Sequence, residues 1–124
     1  MTPSLHASLI ARHAPYQWQG VLILGPSGAG KSHLALKAMA AGWRLVADDR
    51  VIIWSDQGHV YGRAPETLSG LIEVRGLGVV ATQSPVLSFC EIKLVARLAP
   101  ADAIERYPEP GYETLAGEIG RAHV

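Results

Sequence analysis

One cysteine, one phenylalanine and no excess of either charge mark this 124-residue sequence, and each scarcity excludes something. With a single thiol, Cys90, no internal disulfide can form and no cysteine pair can hold a metal, which suits a reducing cytoplasm. Cys90 sits in an apolar run and reads as a small strand hydrophobe. Eleven Lys and Arg balance eleven Asp and Glu, with no basic run, so no electrostatic footprint for nucleic acid or an anionic membrane is present. No apolar stretch reaches the roughly eighteen residues of a membrane span. The first residues lack the charged and then apolar layout of a secretory leader, so none is expected. Five histidines, His6, His13, His33, His59 and His123, are scattered without metal-ligand spacing, and no zinc site is expected. What remains is 48% hydrophobic content in a length that makes one domain.

Glycine, by contrast, is plentiful, with thirteen in the chain. Residues 25–32 read GPSGAGKS and fit G-x-x-x-x-G-K-[ST] at every fixed position. Such a loop turns successive backbone N–H groups inward around a polyanion, which needs glycines free of a Cβ clash, and the following helix offers its N-terminal dipole to the same phosphates. The context agrees. Residues 20–24 (GVLIL) are apolar and β-prone, and residues 31–41 carry Leu34, Ala35, Ala38 and Met39 at helical spacing before Gly42. Strand, glycine loop and helix follow in the order a phosphate-binding loop requires. In that chemistry Lys31 reaches the outer phosphates and Ser32 ligates Mg²⁺.

Residues 5–11 (LHASLIA) alternate and lead into a turn at residues 12–15, so a hairpin with residues 18–24 is expected. His6 lies on its first strand, where pairing can bring the ring near the phosphates; a lone strand His is more often structural. After the helix, residues 43–47 form a further β-prone run that ends in Asp48 and Asp49, before another strand over residues 51–54. A carboxylate there can hold Mg²⁺ or its water, or accept a hydroxyl proton. Strand neighbours point to opposite faces, so one of the pair is expected to face the phosphates. An Asx turn with both acids in solvent explains the pair equally well.

Residues 55–58 (SDQG) carry turn chemistry, and residues 59–61 pair back in a second hairpin. A short helical turn is expected within residues 63–69. Next comes GLIEVRGLGVV at residues 70–80, where Glu73 and Arg75 share a face if extended, just before two glycines. An ion pair at a turn accounts for this as readily as a site does. Residues 86–98 alternate, with Ile92, Leu94, Ala96 and Leu98 on a core face and the other face wet. Residues 99–106 (APADAIER) suggest a turn into a short helix, and residues 111–124 are weakly patterned.

Taken together, these islands resemble the catalytic domain of the bacterial HPr kinase/phosphorylase family, which acts on a serine of the phosphocarrier protein HPr. They are His6-Ala7, the loop GPSGAGKS, RLVADDRV at residues 44–51, LIEVRGLGVV at residues 71–80, and Glu105-Arg106 after a strand. All stand in family order across residues 5–107, and the EVRGLG run is the most specific. The resemblance implies that Gly25, Pro26, Ser27, Gly28, Ala29, Gly30, Lys31 and Ser32 bind ATP, and that Ser32 and Glu73 ligate Mg²⁺. It implies that Asp49 is the acid/base on the seryl oxygen, with His6, Lys31 and Arg106 also in the active site. Arg75, Gly76, Leu77 and Gly78 then belong to a catalytic loop running to Val80. The implied fold is α/β, a small mixed sheet around a P-loop in a single domain, resembling phosphoenolpyruvate carboxykinase.

The family's N-terminal domain has no counterpart in these residues, which correspond to the catalytic domain alone. The sequence also stops at Val124, short of a basic loop tied to phosphorolysis and of C-terminal helices that touch a neighbouring subunit in hexamers. The expectation is therefore a forward kinase with little phosphorolysis and a looser assembly. Two other functions fit parts of the sequence: a P-loop kinase for a small molecule, and a non-catalytic nucleotide-responsive module. The first needs substrate-gripping arginines and a lid where hairpins stand, and the second gives no reason for Asp49, Glu73 and Arg106 to occur together.

Overall fold

Alternation of apolar side chains along residues 8–24 builds two cores, one on each face of a strand pair. The computed structural model describes residues 4–26 and 28–98, together with the backbone of two later strands. Strands β1 (Ser4–Leu5), β2 (Ser8–Ala14) and β3 (Gln17–Leu24) lead through the glycine loop into helix α1 (Lys31–Ala40). There follow β4 (Arg44–Ala47), β5 (Val51–Asp56), β6 (His59–Arg63), a 3₁₀ turn (Glu66–Leu68), β7 (Leu71–Val74), β8 (Gly78–Ala81) and β9 (Cys90–Arg97). Strands β10 (Tyr112–Leu115) and β11 (Glu118–Arg121) pair as an antiparallel hairpin.

Seven strands form one mixed sheet in the order β1-β5-β6-β9-β3-β2-β4, in which β3 and β9 run parallel and the other neighbours antiparallel. The sheet curls on itself. Leu9, Ala11, Leu22 and Val46 from its β2-β3-β4 side pack with Val51, Ile53, Val60 and Val95 from its β5-β6-β9 side. The opposite face of β2, β3 and β4 presents Ile10, Ile23 and Leu45 to Ala35 of α1 and to Ile72 of the separate β7-β8 hairpin. Each successive strand residue thus goes to the other core, as the period of two demands. The result is a mixed α/β domain with helix and hairpin on one face. Among the described residues no helix is long and apolar enough to cross a membrane.

Local chemistry sets the boundaries. The helix ends with Trp43 N–H donating to Ala38 O and Gly42 N–H to Met39 O, while Gly42 takes φ 101°. This Schellman closure needs a residue without Cβ at that position. Gln57 and Gly58 both take positive φ in the two-residue turn joining β5 and β6, so β5 extends to Asp56, beyond the expected end at Trp54. Gly20 lets β9 approach β3: a Cβ there would lie 2.5 Å from Cys90 Sγ and 2.6 Å from Glu91 O.

Four further readings of the sequence change. The strand expected over residues 5–11 is broken, because β1 leaves to pair with β5 and β2 starts afresh at Ser8, reaching through the expected turn to Ala14. Arg75 lies beyond the end of β7, in the turn to β8, so it does not share an extended face with Glu73. Within residues 86–98 the regular strand is Cys90–Arg97, and its expected wet face contains Val95, which is buried because the curled sheet covers both sides. The weakly patterned tail contains the β10-β11 hairpin. The helix expected within residues 99–106, with Arg106, lies outside the described residues, as does Ser27.

Candidate active site

The parallel ladder of β3 and β9 places the start of the glycine loop at a sheet end, where Leu98 N–H donates to Leu24 O. From there Gly28 and Gly30 take φ of 83° and 99°, values that glycine adopts without steric penalty. The loop then feeds α1, whose first residues are Lys31 and Ser32. Lys31 is buried, at 6% exposure, and its ammonium donates to the carbonyls of Gly25 at 2.7 Å and Pro26 at 3.1 Å. The cation is therefore held against the loop's own backbone.

Asp48 and Asp49 stand side by side and point apart. Asp48, at the end of β4, is 3% exposed, and its carboxylate gathers three segments of the chain. Ser8 Oγ donates to Oδ1 at 2.5 Å, Ser32 Oγ lies 2.9 and 2.8 Å from Oδ1 and Oδ2, and Glu73 N–H donates to Oδ2 at 3.0 Å. A carboxylate buried this deeply is tolerated only when such donors surround it. Asp49 adopts the left-handed region with φ 72°, which short Asp side chains accept more readily than most. That turn sends its carboxylate outward, 63% exposed, where Oδ1 lies 3.1 Å from His6 Nε2. His6 reaches it from the break between β1 and β2, where Ala7 N–H also donates to Asp49 O. The expected strand pairing is not what brings this histidine in.

These groups line one cleft of about 790 Å³, shared by His6, Ser8, Lys31, Ser32, Asp48, Asp49, Glu73 and Arg75. The β7-β8 hairpin carries exposed apolar side chains, Val79 at 62%, which lines the cleft, and Leu77 at 75%, which stands in the turn outside it. Gly76 and Gly78 have φ of 87° and 89° and form the tight turn that carries Leu77 between them. Gly28, Ala29 and Gly30 line the cleft too, whereas Gly25, Pro26, Gly76, Leu77 and Gly78 do not, although Gly25 and Pro26 hold the lysine. Among the described residues no group of three or more His, Cys, Asp or Glu could hold a metal ion unaided. Sequence reasoning missed Ser8 and underrated Asp48. The signal available was a hydroxyl at a core position of β2, two residues before buried Ile10.

Among the described residues, two titrating groups away from the cleft are perturbed. Burial pushes the Cys90 thiol up to about 12, with the neighbouring Glu91 charge adding to the effect, so it carries no thiolate at neutral pH. Burial also works against ionisation of Glu91, but hydrogen bonds and charge from His59 and Lys93 outweigh it and hold the carboxyl below its ordinary value.

The family model described as HPr Serine kinase C-terminal domain matches residues 4–122. The HPr kinase/phosphorylase of Enterococcus faecalis is 38% identical over 111 residues, covering 85% of this chain and 36% of that protein. The HPr kinase/phosphorylase of Lactobacillus acidophilus is 36% identical over 131 residues, covering 96% and 41%. That of Clostridium tetani is 49% identical over 105 residues, covering 81% and 34%. The chain thus spans 34% to 41% of the length of these relatives. A solved structure, the Hpr(Ser) kinase/phosphatase from Coxiella burnetii, superposes with a TM-score of 0.80 at 22% identity, covering 97% of this chain and 76% of that one. The fold is the same.

Proposed function

The chain belongs to the HPr serine kinase C-terminal domain family, and from that premise we propose that its cleft transfers the γ-phosphoryl group of ATP to a serine hydroxyl of the phosphocarrier protein HPr. The observation that carries this reading is the division of labour between the adjacent acids. Asp48 is buried and bonded to Ser32, while Asp49 stands exposed beside His6 in the same cleft. Phosphoryl transfer to a protein needs a base that the incoming residue can reach and a fixed anchor beneath it for the nucleotide end. An exposed base with apolar Val79 lining the cleft and Leu77 exposed on the same hairpin suits a protein substrate better than a small molecule enclosed by a lid.

Residues 25–32 act as a P-loop, and the phosphates replace Gly25 O and Pro26 O as partners of the Lys31 ammonium. The single-domain core around that loop is of the phosphoenolpyruvate-carboxykinase type, and the protein works in the cytoplasm. The donor set fits Mg²⁺: Ser32 and Glu73 offer only hard oxygens, too few to hold a metal without help from nucleotide phosphates, which is how Mg²⁺ is usually bound at such sites. When bound, the ion neutralises charge on the phosphate oxygens. Asp49 takes the proton of the seryl hydroxyl, and His6 at 3.1 Å fixes the orientation of its carboxylate. Arg75 and the turn through Gly76, Leu77 and Gly78 present the acceptor, and Arg106 stabilises charge that develops during transfer.

The test is to incubate the protein with radiolabelled ATP, Mg²⁺ and HPr, in parallel with HPr whose acceptor serine is alanine. Label on the first and none on the second supports the reading. Label on neither, with ATP bound, favours a nucleotide-responsive module instead.

A further inference from the structure

We infer that Ser8 is a positioning residue for the metal end of the cleft, acting through Asp48; this rests on the metal role proposed above for Ser32 and Glu73. Ser8 opens β2 and pairs with Ile23 of β3. The alternation of that strand assigns it to the face where Ile10 and Ile23 meet the helix, a place for an apolar side chain. It is instead a hydroxyl with 0% exposure. A buried hydroxyl costs stability unless it is bonded, and its bond runs to Asp48 Oδ1 at 2.5 Å.

The consequence follows from counting protons and lone pairs. Ser8 holds Oδ1 from one side, and the Glu73 N–H holds Oδ2 from the other at 3.0 Å, so the carboxylate is fixed at both oxygens. Ser32 has one hydroxyl proton, lies 2.9 and 2.8 Å from those two oxygens, and must spend that proton on Asp48. Its oxygen lone pairs are then left for a cation. The same carboxylate tethers the backbone of Glu73, so one anchored group sets both proposed oxygen ligands. Without the Ser8 bond, Oδ1 loses the donor opposite Glu73 and the carboxylate is free to turn about its own bond. The Ser32 hydroxyl turns with it. Groups hydrogen-bonded directly to a metal ligand, as Asp48 is to Ser32, change metal affinity by about 10- to 100-fold when deleted. Ser8, one hydrogen bond further out, belongs at the low end of that range.

The test measures metal binding without turnover. Mn²⁺ serves as the probe with the non-hydrolysable analogue β,γ-imido-ATP, and free Mn²⁺ is read by electron paramagnetic resonance. Ser8→Ala is expected to raise the Mn²⁺ Kd about tenfold. A side chain that serves packing alone would move the melting temperature and leave that Kd in place, and this result overturns the inference. In an Asp48→Asn background, Ser8→Ala is expected to add nothing further, because its route to the metal is gone. Additive effects overturn it. Glu73→Gln, measured alongside, separates the two layers. If it weakens Mn²⁺ while Ser8→Ala does not, the Ser8 assignment alone falls; if neither does, the metal role falls with it.

Discussion

Replacing Asp48 with alanine removes the acceptor of bonds from Ser8, Ser32 and Glu73 at once. The two hydroxyls can turn to other acceptors, but the Glu73 N–H is fixed by its place in β7 and cannot. Leaving such a donor unsatisfied costs about 1–3 kcal/mol. The hydroxyls add a smaller loss, and removal of a desolvated charge offsets part of the total. A net loss of about 2 kcal/mol is expected, and for a domain of this size that lowers the melting temperature by about 6–10 °C. Asp49 provides the control. Its carboxylate is 63% exposed and lies 3.1 Å from the half-exposed His6 ring, a surface contact worth about 0–1 kcal/mol at most. Asn tolerates its left-handed backbone, so Asp49→Asn is expected to melt within about 5 °C of the parent. Calorimetry without nucleotide decides the matter. Asp48→Ala melting with the parent, or Asp49→Asn falling as far as Asp48→Ala, would refute the division between a buried anchor and an exposed base.

Lys31→Ala is expected to slow phosphoryl transfer about a hundredfold or more, because it deletes a buried cation aimed along the loop; initial rates equal to the parent would remove residues 25–32 from the reaction. Gly20→Ala is expected to cost about 3 kcal/mol, since its Cβ would meet Glu91 O, a backbone atom that cannot swing aside. Urea unfolding measures this, and an unchanged midpoint would contradict the tight β3-β9 ladder. Glu91 has its folded pKa below the ordinary 4.5, so its contribution is present above that pH and disappears as pH falls through the lowered value. Glu91→Gln should therefore be less stable than the parent at pH 7 and converge with it in acid; a gap that persists at pH 2 would point to packing instead.

How much of this was legible beforehand depends on whether a neighbour in sequence or a neighbour in space decided it. The glycine loop, the helix ending at Gly42 and the β5-β6 hairpin are local matters of φ, capping and turn chemistry, and the residues state them directly. Strand pairing was expected to bring His6 near the phosphate loop; the residue reaches the cleft instead from the break between β1 and β2, beside Asp49. Strand alternation cannot reveal that β1 departs to β5, because a two-residue strand carries no period. Burial of Val95 depended on the sheet curling, a property of seven strands that no single strand encodes. Which of the two aspartates is buried could not be read from the residues themselves for a similar reason. Opposite directions for neighbours follow from strand geometry, but the donors that receive Asp48 on the inner side, Ser8, Ser32 and the Glu73 N–H, lie 40, 16 and 25 positions away from it.

The most direct test of the exposed-base claim compares ATP binding with transfer in a single variant, Asp49→Asn, using HPr as acceptor in single-turnover experiments. An amide of the same shape cannot accept the seryl proton, so transfer is expected to fall at least about a hundredfold, while ATP affinity measured by calorimetry stays within about twofold. Transfer at the parent rate, or a loss of ATP affinity that accounts for the whole fall in rate, would contradict the assignment of Asp49 as the base.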